Sequence, residues 1–114
     1  MTDKIVVLTA CDSEEEAARM ARQLVEKGLA SCVNILPQVR SFYRWKNKIE
    51  DSREFVLLIK SRRDVFDALR AEIVKMHSYE IPEVLALPVV DGLDAYLAWV
   101  DGELDSKLDK TVEK

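Results

Sequence analysis

Residues 54–60 read Glu-Phe-Val-Leu-Leu-Ile-Lys, and no other segment constrains the fold as tightly. A short apolar run rich in aliphatic and aromatic residues predicts a strand. Alternation puts Phe55, Leu57 and Ile59 on one face and Val56 and Leu58 on the other. Both faces are apolar, so both need cover. A strand from an antiparallel sheet with one wet face would alternate apolar and polar residues instead. Residues 84–90, Val-Leu-Ala-Leu-Pro-Val-Val, are apolar on both sides as well. Helices can cover one face of such a sheet, and the other is expected to meet another subunit.

The remaining elements follow in chain order. Residues 5–10 form a short buried-strand pattern. Ser13 with Glu16 makes a capping-box signature, and Glu14, Glu15 and Glu16 suit the positive end of a helix. Ala17, Met20, Ala21, Leu24 and Val25 then recur at helical spacing, and Gly28 stands at a C-cap position. Residues 30–36 predict a second strand that Pro37 stops. Residues 39–46 continue in extended form, and both Asn47-Lys48 and Glu50-Asp51-Ser52 read as turns within a long hairpin leading to 54–60.

Ser61 and Asp64 open a second helix with Val65, Phe66, Leu69, Ile73 and Met76 on its apolar stripe. Pro82 biases Ile81 towards extended backbone, so this helix ends before it. Pro88 cannot donate to a ladder and places its strand at an edge or bulge. Residues 93–104 predict a third, shorter helix. Residues 105–114 read as a charged, frayed tail, which leaves one domain over residues 1–104. This order is the split β-α-β repeat of an α+β, ferredoxin-like sandwich: an antiparallel sheet with helices on one face.

Composition removes several functions. A net charge of −4 offers no basic footprint for nucleic acid. Base stacking on the central strands would need aromatics there, and only Phe55 qualifies. No Gly-rich loop supports phosphate chemistry, and no apolar run is long enough to span a bilayer. Asp3 and Lys4 break up the N-terminus, so no signal peptide is expected and the cytoplasm is the default location. The two cysteines, Cys11 and Cys32, then read as free thiols.

The densest chemistry lies in His77-Ser78-Tyr79-Glu80-Ile81-Pro82-Glu83, which holds the only histidine. Imidazole with nearby Met76, Tyr79 and Glu80 admits copper or zinc. The alternative is a helix C-terminus whose His favours the helix dipole while Tyr79 packs on the core. Cys32 likewise reads either as a thiol ligand or as a small strand hydrophobe. Nothing in the spacing pairs a nucleophile with a base, so the chain is expected not to be an enzyme.

Four segments together resemble the divalent-cation tolerance (CutA) family. They are Ala30-Ser31-Cys32-Val33-Asn34-Ile35-Leu36-Pro37, Tyr43-Arg44-Trp45, residues 77–83, and Gly92-Leu93-Asp94-Ala95-Tyr96-Leu97-Ala98-Trp99. The resemblance runs from about Val6 to Val100. It implies a tight homotrimer shaped like the PII signalling proteins and a link to copper and other divalent metal ions. It implies an intersubunit pocket carrying Cys32, Trp45, His77, Tyr79, Glu80 and Trp99. The chain departs from the family pattern at Ser78, often proline, at Met76, in some members a second histidine, and at Leu8, in some a cysteine. His77 is then the first-choice metal ligand, with Cys32 and Glu80 as helpers. Two other functions fit the same fold. A PII-like module would bind a small anion or a partner protein, with Arg44 and Lys60 as its only obvious cations. An acylphosphatase-like hydrolase would need an arginine-bearing loop after the first strand, and residues 9–13 lack one.

Overall fold

The computed structural model describes residues 1–112, with side chains through Ser106. Strand β1 (Lys4–Cys11) leads to helix α1 (Glu14–Glu26), and β2 (Cys32–Trp45) and β3 (Lys48–Arg62) follow. A 3-10 turn at Arg63–Val65 enters α2 (Phe66–Met76), then come β4 (Leu85–Pro88) and α3 (Asp94–Val112). The sheet order is β2-β3-β1-β4, and each neighbouring pair is antiparallel. This is the expected ferredoxin-like arrangement.

Register explains the two faces. Val7 pairs with Ile59 and Thr9 with Leu57, and these side chains meet α1 and α2. Val7, Leu57 and Ile59 are fully buried with Met20, Leu24, Leu69 and Ile73. Each such side chain contributes about 1.5–3 kcal/mol by leaving water. Helix α1 ends in a Schellman motif: the Gly28 N–H bonds the Val25 carbonyl and the Leu29 N–H bonds the Leu24 carbonyl, both at 3.0 Å. Gly28 has φ 72°, the left-handed geometry that this closure requires.

Several boundaries differ from the sequence expectation. Pro37 does not stop β2. The register passes from Leu36↔Val56 to Val39↔Glu54, so one extra residue is absorbed as a bulge, with Gln38 at φ 56°. The hairpin turns at Lys46-Asn47, whose φ values of 50° and 69° match a two-residue type I′ turn. Glu50, Asp51 and Ser52 are therefore not a turn but part of β3, opposite Tyr43, Phe42 and Ser41. Asp51 holds the ladder from its side chain, accepting from Arg40 Nε and Nη2 at 3.0 and 2.8 Å. Ser61 closes β3 rather than opening α2, and its hydroxyl donates to the Leu29 carbonyl at 2.8 Å.

The third helix also runs past residue 104, to Val112. Arg62 anchors the part around residue 104. It donates to Asp101 at 2.9 Å and Asp105 at 2.8 Å, carboxylates one helical turn apart. Lys4 Nζ reaches Asp101 at 3.1 Å. Val100 and Leu104 bury against Val65 and Leu29 beside this ionic seam. Thus α3 caps one end of the sheet at Lys4 and Arg62. Further along that face Val6, Leu8, Val56 and Leu58 are only half-buried, and Leu36, Leu85 and Leu87 are exposed.

Candidate functional site

The corner after α2 is built by α1. Ser13 Oγ accepts the Glu16 N–H at 3.0 Å, the first half of the expected capping box. The second half is absent, because the Glu16 side chain turns across to the corner. Its carboxylate accepts the Ser78 N–H at 2.8 Å and the Ser78 hydroxyl at 2.9 Å. A buried carboxylate thus fixes the backbone where α2 ends. Spacing alone could not find this contact, since Glu16 and Ser78 lie 62 residues apart.

His77 has no exposed side-chain surface. Its Nε2 lies 2.7 Å from the Ala10 carbonyl oxygen, and its Nδ1 lies 3.1 Å from the Tyr79 amide nitrogen. The carbonyl can only accept and the amide can only donate, so these two contacts match the tautomer that carries its proton on Nε2, and Glu16 Oε2 lies 3.6 Å from Nδ1. Both ring nitrogens are then engaged inside the subunit, and neither offers a lone pair to a metal. Here His77 orients the corner. His77→Ala is expected to cost about 2–4 kcal/mol, from a buried cavity and an unsatisfied Ala10 carbonyl. Urea unfolding would check this, and an unchanged midpoint would refute the orienting role.

Tyr79 continues the same construction. Its hydroxyl donates to Glu54 Oε2 at 2.7 Å, across to the base of the β2–β3 arm. Burial and the adjacent Glu54 push its phenol far above the ordinary tyrosine range, so it stays a neutral donor. Between the arm and the corner lies an open cleft of about 740 Å³. Tyr43, Trp45, Glu54, Tyr79, Glu80 and Glu83 are among the residues lining it. Of the sequence-expected residues the cleft gathers Trp45, Tyr79 and Glu80, and it adds Glu54, whose role the strand pattern concealed.

Cys32 and Trp99 lie elsewhere. Cys32 pairs with Lys60, which in turn pairs with Val6. His77 bonds to Ala10, four residues further along β1, which is about 13 Å. Lys60 Nζ sits 3.7 Å from Cys32 Sγ and also bonds Asn34 Oδ1. Trp99 stacks against Tyr96 on α3 with ring centroids 5.6 Å apart. Burial, and to a lesser degree the neighbouring Cys32, pushes the Tyr96 phenol up. Among the described residues, no group of three His, Cys, Asp or Glu side chains is placed to hold a metal ion.

Comparison with known proteins agrees with this geometry. The family model for CutA1 divalent ion tolerance protein matches residues 5–103. The chain belongs to the CutA1 family. Protein CutA of Mus musculus is 46% identical over 90 residues, covering 79% of this chain and 51% of that protein. This chain therefore spans about half the length of that relative. The divalent-cation tolerance protein CutA of Archaeoglobus fulgidus is 46% identical over 89 residues, covering 78% of this chain and 86% of its own. The crystal structure of CutA from Xylella fastidiosa superposes with a TM-score of 0.88 at 36% identity, covering 90% of this chain and 99% of that one. The CutA fold thus covers nine-tenths of this chain.

Proposed function

We propose that this protein acts in tolerance to divalent cations as a closed homotrimer that takes copper, or another divalent metal, as cargo between its subunits. It is a binding protein and not an enzyme on this reading, working in a reducing compartment such as the cytoplasm, where its two thiols stay free. The observation that carries it is the second sheet face. Val56, Leu58, Val6 and Leu8 form an apolar surface continuous with exposed Leu36, Leu85 and Leu87. A second copy would take that surface out of water, and the number three follows from the family resemblance. Relatives such as that of Archaeoglobus fulgidus carry the name divalent-cation tolerance protein, which supports the metal assignment.

The expected ligands do not fit a chelate within one subunit. His77 is engaged at both nitrogens, and Cys32 and Glu80 lie in different neighbourhoods. Metal donors would then come from more than one copy. Cys32, a soft donor on the face that another subunit would cover, takes precedence. Calorimetry with copper is the test. Cys32→Ser is expected to weaken copper binding by at least about tenfold, because hydroxyl is a far poorer soft-metal ligand than thiolate. Equal binding by parent and variant would reject the assignment. The PII-like alternative with an anionic ligand fits less well, since Glu54, Glu80 and Glu83 give the cleft the wrong sign.

A further inference from the structure

The cleft between the hairpin arm and the corner holds an unusual carboxylate. Glu54 is only 6% exposed, yet no lysine, arginine or histidine forms an ion pair with it among the described residues. Its Oε2 accepts one hydrogen bond, from the Tyr79 hydroxyl, and its Oε1, without a hydrogen-bond partner among them, stays open to the cleft. A recessed carboxylate with one neutral donor is poorly hydrated and gains from a cation that reaches its open oxygen. Glu80 and Glu83, both exposed, line the cleft from the corner and form no ion pair among the described residues. The one basic side chain lining the cleft, Lys46, stands over the Trp45 ring at 5.7 Å and pairs with none of them.

We propose that this cleft binds a small organic cation with N–H donors, a primary ammonium or a guanidinium, whose head meets Glu54 and whose stem lies against Tyr43 and Trp45. Three features select that class. Charge has the right sign at the base and on one wall. Aromatic rings line the other wall, where they attract a cation by its charge and an alkyl stem by its surface. A metal ion has no alkyl stem to lay against those rings, and no three-donor group is set to chelate one among the described residues. A volume of about 740 Å³ suits a small molecule. The inference stands apart from copper binding at Cys32 and does not rest on it.

The probes are n-butylguanidine and n-butylamine, with n-butanol as the uncharged control. Titration of the isotope-labelled protein is followed by NMR at the Trp45 indole N–H and the Tyr79 amide. Saturable shifts are expected with both amines and none with butanol. Glu54→Gln removes the charge yet keeps an acceptor for the Tyr79 hydroxyl, and should weaken binding by at least about tenfold. Equal binding by that variant, or equal shifts with butanol, would overturn the proposal. So would zinc alone producing the same shifts and displacing the amine. If the natural occupant is a basic side chain of a second copy, Glu54→Gln would dissociate the assembly while the parent ignores both amines, which also overturns it. Should Glu54→Gln fail to fold, the double variant Glu80→Gln and Glu83→Gln on the wall replaces it. Several-fold weaker amine binding is then expected, and unchanged affinity would refute the site.

Discussion

Leu58→Asp should reduce the assembled protein to monomers or prevent it from folding. Leu58 lies at the middle of β3, paired with Leu8 on one side and Asn34 on the other. Its face also carries Val6, Val56 and Leu36, all partly or fully open to solvent in the single subunit. Burying such side chains against a second copy is worth up to about 1.5–3 kcal/mol each. An aspartate there would lose that gain and bring an unpaired carboxylate into the interface, at several kcal/mol more. Light scattering at micromolar concentration is the measurement. The parent should show a trimer and the variant a monomer or aggregate. Val74→Asp, on the exposed side of α2, is the control and should keep the parental mass. A monomeric parent, or an intact trimer in Leu58→Asp, would sink the assembly proposal.

The second large effect is expected at Arg62. Its side chain is 10% exposed and donates to Asp64 at 2.6 Å, Asp101 at 2.9 Å and Asp105 at 2.8 Å. Removing one partner of a buried ionic group costs about 3–5 kcal/mol. The aspartates here remain well solvated, so Arg62→Met should cost less, about 2–3 kcal/mol. The loss should fall on α3 first, because Asp101 and Asp105 belong to that helix and have Arg62 as a shared anchor. Hydrogen exchange would read it as faster exchange in α3 with α1 unchanged. Uniform protection across both helices would contradict the latch.

The same seam fixes a pH dependence. Arg62, and to a lesser degree Lys4, hold the Asp101 carboxyl below the ordinary aspartate range. A carboxylate with a lowered folded-state pKa stabilises the fold above its unfolded pKa of about 3.9. That contribution disappears as pH falls through the lower, folded value. Acid unfolding of the parent should therefore steepen below about pH 4, and Asp101→Asn should flatten it.

Much of the fold was legible because its causes are local. The Ser13 cap and the Gly28 closure use neighbouring backbone, so spacing alone reveals them. Alternation in residues 54–60 located the central strand and its two apolar faces, and register in the structure agrees. Proline misled at position 37, because a bulge leaves its missing N–H outside the ladder. The polar run Glu50-Asp51-Ser52 misled for a related reason. Its turn propensity is overruled by the facing strand and by the Arg40–Asp51 pair.

The site was legible as a stretch but not as an arrangement. Sequence marked His77, Tyr79 and Glu80 as chemistry near a helix end, and the Trp45 segment by resemblance. It could not tell that His77 spends both nitrogens on Ala10 and Tyr79, because those partners are chosen by how α2 docks on β1. Nor could it single out Glu54, which reads as the polar first residue of a strand and becomes a nearly buried carboxylate only when Tyr79 crosses to it.

Periodicity, caps and turn chemistry act over a few residues, so the sequence by itself determined the order of elements and the need to cover a second sheet face. Hydrogen bonds and ion pairs between distant segments depend on docking geometry that no local pattern encodes. Tertiary structure alone therefore decided that Arg62 latches α3, that Glu16 fixes the corner, and that a recessed carboxylate stands at the base of an open cleft.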